Sequence, residues 1–297
     1  MSITFSAEEE PDRLRIPRRL AVLGSPIGHS RSPLLHRTAY AALGLPWEYD
    51  AHEVTADALP GFLAELTEPW RGLSLTMPLK EAVIDALDSV DTVGKLTGAV
   101  NTVLVTFHDG TRQLAGFNTD VYGMVTALGR AGVASARRAL VLGGGATARS
   151  AVVAAAQLGA ERVDIAVRTP GAAGAVVETA RAAGLESAVH ALDPAALAQL
   201  ASDLTISTLP GGVGAEQLFA IDGAPVSSTL LDVAYHPWPS PLAELWQASG
   251  STAVSGLDML VHQAIAQIRV FVHGDPLIPL TDEPRLTAAL LDAAGTS

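Results

Sequence analysis

Cysteine is absent from the 297 residues, so the chain forms no disulfide and offers neither a thiol nucleophile nor a thiolate metal site. Basic residues are scarce, with 19 Lys and Arg against 31 Asp and Glu and a formal net charge of −12. Such a charge repels phosphates, so we expect no nucleic-acid partner. No run of about 18 apolar residues occurs, and the polar stretch Met1–Arg19 has no apolar core like that of a signal peptide. We therefore expect a cytoplasmic location and no membrane partner.

The apolar content is sufficient for well-buried cores. Apolar residues make up 48% of the chain and charged residues 17%, and the length suits two domains of ordinary size. Predicted strands and helices alternate, which favours α/β layers around parallel sheets. Strands are predicted at residues 19–23, 47–52, 72–75, 103–107, 113–117, 139–142, 163–167, 188–191, 204–207 and 230–233, with a hairpin turn at 108–111. Helices are predicted at residues 34–43, 59–66, 80–87, 121–131, 146–158, 171–183 and 256–272, with a last helix ending near residue 293.

A glycine-rich turn indicates nucleotide binding. Gly143-Gly144-Gly145-Ala146-Thr147-Ala148 follows a predicted buried strand and opens a predicted helix. Glycines let the backbone approach a pyrophosphate, and the amides at the helix N-terminus bind it. The turn alone could be a tight connection, but its position between strand and helix favours a dinucleotide site.

The end of the next predicted strand bears on the choice of cofactor. An NAD enzyme usually has Asp or Glu there to bind the ribose hydroxyls. This chain has Ala166-Val167-Arg168-Thr169 instead, and the planar fork of Arg168 suits a 2′-phosphate. NADP is therefore favoured over NAD, although Arg168 could also be a solvated surface residue. Arg149 could assist it or face solvent.

Lys80 and Asp120 are the candidate catalytic residues. A lysine beside a carboxylate can move a proton to or from a hydroxyl, because each group tunes the charge of the other. Lys80 starts a predicted helix, where a cation is unfavourable for the helix dipole, and this argues against an ordinary surface role. Asp120 at a helix N-terminus could cap the helix as well as act in catalysis. With the glycine turn, the pair predicts proton transfer coupled to hydride transfer.

Several segments, in the same order along the chain, carry a family resemblance. They are Gly24-Ser25-Pro26-Ile27-Gly28-His29-Ser30-Arg31-Ser32-Pro33, Thr76-x-Pro78-x-Lys80, Gly98-Ala99-Val100-Asn101-Thr102, Gly116-Phe117-Asn118-Thr119-Asp120, the glycine turn, Asp232-x-x-Tyr235-x-Pro237, and Gly256-Leu257-Asp258-Met259-Leu260-Val261-His262-Gln263. By these segments the chain resembles the shikimate dehydrogenases of the shikimate/quinate dehydrogenase superfamily, from about Leu20 to the C-terminus.

The resemblance implies a reaction and a fold. The family reversibly reduces 3-dehydroshikimate to shikimate with NADPH and without a metal, on the route to chorismate and the aromatic amino acids. The implied fold is α/β with two domains, a Rossmann-type doubly wound parallel sheet and a discontinuous α/β substrate domain, with the site in the cleft that they form. We expect a flexible tail at residues 1–16, the substrate domain at 17–120 and 253–297, and the NADP domain at 121–252. The implied partner is a small-molecule substrate, bound by a monomer or homodimer.

The resemblance also implies contacts for single residues. Ser30 and Ser32, two apart on an extended segment, would hold the ring carboxylate, although Ser32 could instead cap the following helix. The other implied substrate contacts are Thr76, Asn101, Tyr235 and Gln263. The implied cofactor contacts are Gly143, Gly144, Gly145, Ala146, Thr147, Arg168, Thr169, Thr208, Val233, Gly256 and Met259. Hydrogen bonding within loops could instead explain Thr76, Asn101 and Thr208. Gln263 could be an ordinary polar residue on a helix face, and Tyr235 could be a partly buried core residue. A helix start and a core position are the alternatives for Gly256 and Met259.

Three positions depart from the family pattern. Ser74 stands where asparagine is common, Ala146 where glycine is common, and Val167 where asparagine usually precedes Arg168. The first could alter a ring contact, and the other two could weaken NADP binding. The eight histidines are expected to have structural or solvent roles, since no pair has the spacing of a metal site.

Three other functions stay open. One is a quinate or broad-specificity quinate/shikimate dehydrogenase. A second is a non-catalytic ligand-binding homologue. A third is a folate-linked dehydrogenase of similar construction, which would use a lysine but leaves Ser30 and Ser32 unexplained.

Overall fold

The computed structural model describes residues 14–197, 200–211 and 228–295. The chain divides into two compact units. Unit 1 comprises Met1–Lys95, Ala99–Thr119 and Gln263–Ser297, and unit 2 comprises Leu96–Gly98 and Asp120–His262. Most of the predicted flexible tail, residues 1–13, lies outside the described residues. The assignment of the predicted domains to substrate and to NADP stays a prediction.

Strands and helices alternate through the described residues. The strands are β1 (Arg18–Gly24), β2 (Trp47–Glu53), β3 (Trp70–Leu75), β4 (Ser89–Val90), β5 (Thr102–His108), β6 (Thr111–Phe117), β7 (Arg138–Leu142), β8 (Arg162–Val167), β9 (Glu186–Ala191), β10 (Leu204–Ser207), β11 (Thr229–Asp232) and β12 (Ala253–Ser255). The helices are α1 (Ser32–Leu43), α2 (Leu59–Ala64), α3 (Leu79–Ala82), α4 (Thr92–Thr97), α5 (Asp120–Arg130), α6 (Ala146–Gln157), α7 (Gly174–Ala182), α8 (Pro194–Leu197), α9 (Pro241–Ala248), α10 (Gly256–His273) and α11 (Glu283–Ala294). Short 3-10 helices lie at Ile84–Ala86 and Pro170–Ala172.

Unit 1 is built on a mixed six-stranded sheet. Its strand order is β2-β1-β3-β5-β6-β4. Strands β2, β1 and β3 are parallel, while β5 runs antiparallel to β3 and to β6. The predicted hairpin turn is confirmed: His108 pairs with Thr111, and Asp109 and Gly110 between them have positive φ angles of 49° and 76°. Leu20–Leu23 of β1 are buried, as expected for a central strand of a covered sheet.

Unit 2 is built on a parallel six-stranded sheet in the order β12-β11-β10-β7-β8-β9. The chain fills one half of the sheet from β7 to β9, then returns to fill the other half from β10 to β12. This is the strand order of a doubly wound dinucleotide-binding fold, with its switch point where β7 and β10 are adjacent. The predicted α/β class with a Rossmann-type sheet is confirmed.

The C-terminal helices stabilise unit 1. Helix α11 packs on α1, and the Arg31 side chain donates a hydrogen bond of 2.5 Å to the Ala294 carbonyl at the end of α11. The largely buried Arg269 of α10 makes a two-point ion pair with Glu283, with distances of 2.5 and 2.8 Å. These contacts fix the part of α10 that belongs to unit 1, which begins at Gln263. Within the described residues, no helix is long and apolar enough to span a membrane.

Candidate active site

Two chain segments of unit 1 leave the same edge of its sheet. Parallel strands β1 and β3 end side by side, so the segment after β1 and the segment after β3 start close together. The Thr76 amide donates to the Leu23 carbonyl at 2.9 Å. A Cβ at Gly24 would lie 2.3 Å from Thr76 Cγ2 and 2.9 Å from the Met77 carbonyl oxygen, so glycine is required for this close approach. The structure thereby places the loop that carries Ser30 beside the loop that carries Thr76.

Ser30 and Ser32 stand at the start of α1. Ser30 is half-buried, Ser32 is buried, and the Ser32 amide lies 3.3 Å from Ser30 Oγ. The capping alternative for Ser32 is wrong, because the helix starts at Ser32 itself and Arg31 occupies the N-cap without a side-chain cap bond.

Lys80 lies in the four-residue helix α3, directly after the Thr76 loop. It is half-buried, and its carbonyl accepts a hydrogen bond of 2.8 Å from the Val100 amide. Asp120 is the first residue of α5, where it is buried, with only 3% of its surface exposed. The two residues belong to different units, and their catalytic roles stay predictions.

Asn101 and Gln263 lie together inside unit 1, and both are buried. Asn101 Oδ1 accepts 2.8 Å hydrogen bonds from the Thr119 amide and from Thr102 Oγ1. Asn101 Nδ2 donates to Thr119 Oγ1 at 2.9 Å and to Gln263 Oε1 at 3.3 Å. Asn101 therefore stabilises the loop that precedes Asp120, which was its structural alternative. To contact a ligand as predicted, the Asn101 side chain would exchange one of these hydrogen bonds for a hydrogen bond to the ligand.

The glycine turn of unit 2 sits at the switch point of the parallel sheet. Gly143 has φ +119°, and a Cβ there would lie 2.3 Å from Thr208 Oγ1. Thr208 follows β10, and both its amide and its hydroxyl donate to the Leu142 carbonyl at 2.8 Å. Gly144 and Gly145 are exposed, and Gly145 is the N-cap of α6. Exposed glycine backbone thus lies at a helix N-terminus beside the end of a neighbouring strand, which fits a dinucleotide pyrophosphate.

The predicted NADP-selecting residues lie at the end of β8. Arg168 and Thr169 are exposed there, while Ala146 and Thr147 at the start of α6 are half-buried. Val167, which stands where the family usually has asparagine, is buried. A Cβ at Gly144 would lie 3.1 Å from Val167 Cγ1, so the valine side chain lies against the glycine turn. The alternative that Arg149 faces solvent is wrong. Arg149 is buried and donates a hydrogen bond to the Gly98 carbonyl at 3.1 Å.

The remaining predicted cofactor and substrate residues of unit 2 follow β11 and β12. Val233 and Tyr235 are half-buried, and Gly256 and Met259 are buried in the first turn of α10. A Cβ at Gly256 would lie 2.2 Å from the Val233 carbonyl oxygen, so glycine permits the approach of α10 to that backbone. Asp232 accepts from Ser240 Oγ at 2.6 Å and from the Ala234 amide at 3.2 Å, and burial raises its pKa. These contacts give Asp232 a structural role, because they stabilise the loop that carries Tyr235.

Sequence reasoning missed the residues that stand behind Asn101. Gln267 donates to the Asn101 carbonyl at 3.0 Å, and its Oε1 lies 3.1 Å from His36 Nε2. The signal was present in the spacing, because Gln263 and Gln267 are four residues apart and share one face of α10. His36 and Tyr40 have the same spacing on α1, and their side chains are hydrogen-bonded at 3.0 Å.

A cavity at the other end of the unit 1 sheet is separate from the candidate site. It has a volume of about 360 Å³ and is lined by Arg18, Trp47 and Trp70 among others. These residues begin β1, β2 and β3, whereas Ser30 and Thr76 follow the opposite ends of β1 and β3. Across the described ranges, no three His, Cys, Asp or Glu side chains are grouped so that they could hold a metal ion.

The fold and the glycine turn define a two-unit α/β protein of the dinucleotide-binding class. The family model of the shikimate dehydrogenase substrate binding domain matches residues 22–103. The shikimate dehydrogenase (NADP(+)) of Thermus thermophilus is 40% identical over 258 residues, which are 85% of this chain and 92% of that protein. The crystal structure of Mycobacterium tuberculosis shikimate dehydrogenase has a TM-score of 0.81 and 36% identity, covering 95% of this chain and 100% of that one.

A second solved structure has its ligands in place. The Thermus thermophilus shikimate 5-dehydrogenase in complex with NADP(H) and shikimate has a TM-score of 0.76 and 33% identity, covering 94% of this chain and 99% of that one. The chain belongs to the shikimate dehydrogenase family, a family of oxidoreductases, and the resemblance read from the sequence is confirmed.

Proposed function

We propose that the protein is an NADP-dependent shikimate dehydrogenase that reversibly reduces 3-dehydroshikimate to shikimate. The observation that carries the proposal is the 40% identity to a shikimate dehydrogenase (NADP(+)) over 85% of the chain. The local structure of both units supports it, through groups suited to the cofactor, the substrate and the proton.

The residues of unit 2 fit NADP. Exposed Gly144 and Gly145 with the first turn of α6 would hold the pyrophosphate, and exposed Arg168 would hold the 2′-phosphate. No acid directly follows β8 in the sequence to favour the free ribose hydroxyl of NAD. When bound, NADPH would supply the hydride that reduces C3 of the substrate.

The residues of unit 1 suit a small ring with a carboxylate and several hydroxyls. Ser30 and Ser32 supply hydroxyl donors for the carboxylate, and Thr76, Asn101 and Gln263 supply a hydroxyl and two amides for ring oxygens. Tyr235 of unit 2 completes the proposed substrate contacts. The burial of Ser32, Asn101 and Gln263 matters, because a hydrogen bond away from water discriminates strongly against a ligand that lacks the matching group.

Lys80 and Asp120 supply the proton chemistry. In the reducing direction, Lys80 gives a proton to the C3 oxygen as hydride reaches C3, so the carbonyl becomes a hydroxyl. In the oxidising direction, Lys80 accepts that proton as hydride leaves. Asp120 orients Lys80 and balances its positive charge.

The proposal is tested by a matrix of two acids and two cofactors. The purified protein is assayed by the NADPH absorbance band with shikimate or quinate, each with NADP or NAD. We expect the highest kcat/KM for shikimate with NADP. Comparable rates with quinate would favour a broad-specificity quinate/shikimate dehydrogenase. Absence of oxidation in all four combinations, with a folded protein, would support a non-catalytic homologue and contradict the proposal.

A further inference from the structure

Unit 1 contains a buried hydrogen-bond network centred on the Gln267 amide. We call it the Gln267 network, and it consists of His36, Tyr40, Tyr49, Ser74, Thr102 and Gln267. All six side chains are buried, and they come from α1, β2, β3, β5 and α10. A buried polar group that loses its hydrogen-bond partner destabilises the fold, so each member is held in place by the others.

The direction of each hydrogen bond at Gln267 is fixed. Gln267 Nε2 lies 3.0 Å from the Asn101 carbonyl, which can only accept, so the amide nitrogen must point that way. Gln267 Nε2 also donates to Thr102 Oγ1 at 3.1 Å. Gln267 Oε1 is therefore an acceptor, and it accepts from Ser74 Oγ at 2.9 Å and from His36 Nε2 at 3.1 Å.

The donor and acceptor roles of the neighbouring side chains follow from those of Gln267. Since His36 Nε2 carries the hydrogen, its Nδ1 accepts from the Tyr40 hydroxyl at 3.0 Å. Ser74 Oγ donates its hydrogen to Gln267, so it accepts a hydrogen bond from the Tyr49 hydroxyl at 2.6 Å. Burial lowers the pKa of His36 to about 3, so the ring stays neutral and keeps one donor and one acceptor at ordinary pH. The Tyr49 ring stacks on His36 with centroids 4.1 Å apart.

The network ends on two candidate substrate contacts. Thr102 Oγ1 accepts from Gln267 and donates its own hydrogen to Asn101 Oδ1 at 2.8 Å. The Thr119 amide, which can only donate, also bonds Asn101 Oδ1 at 2.8 Å, so Asn101 Nδ2 faces Gln263 Oε1 at 3.3 Å. Gln267 therefore holds Asn101 at two points, directly at its backbone carbonyl and through Thr102 at its side-chain oxygen.

We propose that Gln267 is a positioning residue, which holds Asn101, and through it Gln263, in place and thereby supports the hydrogen-bond pattern offered to the substrate ring. This inference rests on the proposed function. It adds to that function a residue that contacts neither the reacting atoms nor the cofactor, and that acts through Asn101. Ser74, where the resemblance leads one to expect asparagine, is in this view a support of the Gln267 amide.

The test compares Gln267→Met with the parent. Methionine keeps the length and most of the volume of glutamine but makes none of its four hydrogen bonds, so packing and polarity are separated. We expect the KM for shikimate to rise about tenfold or more, with the KM for NADP unchanged and kcat lowered less than the KM is raised. Gln113→Ala, an exposed glutamine on β6 of the same unit, is the matched control and is expected to match the parent.

A second variant covers the case in which Gln267→Met does not fold. Thr102→Val removes only the hydroxyl that links Gln267 to Asn101, and we expect it to raise the KM for shikimate in the same selective way. If the parent shows no shikimate oxidation, the proposed function fails and this inference fails with it. If the parent is active and a folded variant keeps the parent KM, or loses affinity for shikimate and NADP equally, Gln267 has a structural role only and the inference is wrong.

Discussion

The chemistry assigned to single residues depends most on Lys80, and the chain offers an unusually clean comparison for it. The sequence contains just one other lysine, Lys95, which is exposed on α4 of unit 1. In the sequence, Lys80 is singled out by its local motif and by its place at the start of a predicted helix, where a cation opposes the helix dipole. The structure adds that Lys80 is half-buried beside the Thr76 loop.

Lys80→Ala is expected to lower kcat by several orders of magnitude while leaving the affinity for shikimate nearly intact. The reason is that the variant has no group to give or accept the proton at the C3 oxygen, whereas the ring contacts of Ser30, Asn101 and Gln263 persist. Steady-state kinetics and binding of shikimate by calorimetry provide the measurement. Lys95→Ala should behave like the parent. Equal turnover in Lys80→Ala and the parent would reject the role.

Arg168→Ala is expected to raise the KM for NADP by about 10- to 100-fold, the loss of a charge-assisted hydrogen bond of about 1.5–3 kcal/mol. The KM for NAD should change little, because NAD has no 2′-phosphate for Arg168 to bind. Arg181→Ala is a matched control, since Arg181 is an exposed arginine of unit 2 that pairs with Glu178. A proportional loss for both cofactors would show that Arg168 does not read the phosphate.

At the scale of elements, segments with a clear apolar pattern could be predicted from sequence, and segments with few or conflicting signals could not. Helix α6 and strand β10 lie almost where their patterns placed them. Helix α9 was missed because three closely spaced prolines are typical of turns. The last of these prolines, Pro241, is the first residue of α9. Strand β12 was missed because three residues carry too little pattern. The helix predicted over 80–87 ends at Ala82, where a 3-10 helix at Ile84–Ala86 follows.

The element that joins β7 to α6 gives a prediction about stability. Gly143→Ala is expected to destabilise the ligand-free protein by about 1–3 kcal/mol, because φ +119° is strained for alanine and its Cβ would meet Thr208 Oγ1. Gly145→Ala is the matched control in the same turn: a Cβ there meets nothing within 4 Å, so stability should be nearly unchanged. Thermal unfolding of both variants without cofactor makes the comparison. An equal loss in both would contradict the proposed backbone constraint.

At the scale of the whole molecule, what the sequence could not supply was pairing between distant segments. The glutamine at 267 lies 166 residues after Asn101 and 231 after His36, and only the fold brings the three together. The motifs named Asn101 and Gln263 as ligands but contained nothing about what orients them. The same burial that orients them also couples folding to pH.

Stability is expected to fall as the pH is lowered from 7 to 5, partly through His36. Its pKa is lowered to about 3 in the folded chain, so the unfolded chain binds more protons between about pH 3 and 6.5. The stability that neutral His36 provides is thus present above about pH 6.5 and is lost as the pH falls, by about 2 kcal/mol at pH 5. Asp232 and Asp258, whose pKa values are raised by burial, act in the opposite direction.

Urea unfolding of the parent and His36→Phe at the two pH values, followed by tryptophan fluorescence, isolates this contribution. The variant lacks the titrating ring, so it should start less stable at pH 7 but lose about 2 kcal/mol less than the parent on going to pH 5. A parallel decline in the two proteins would show that His36 does not carry the acid sensitivity.

The central claim, hydride transfer from NADPH to C3 of 3-dehydroshikimate, is tested most directly by following the hydrogen itself. The protein is given 3-dehydroshikimate and NADPH that carries deuterium at both C4 positions of the nicotinamide, and the product is examined by NMR and mass spectrometry. We expect shikimate with one deuterium, bound to C3, and none there when deuterium is supplied only by the solvent. Product without the cofactor's deuterium, or no shikimate at all from a folded protein, would contradict the claim.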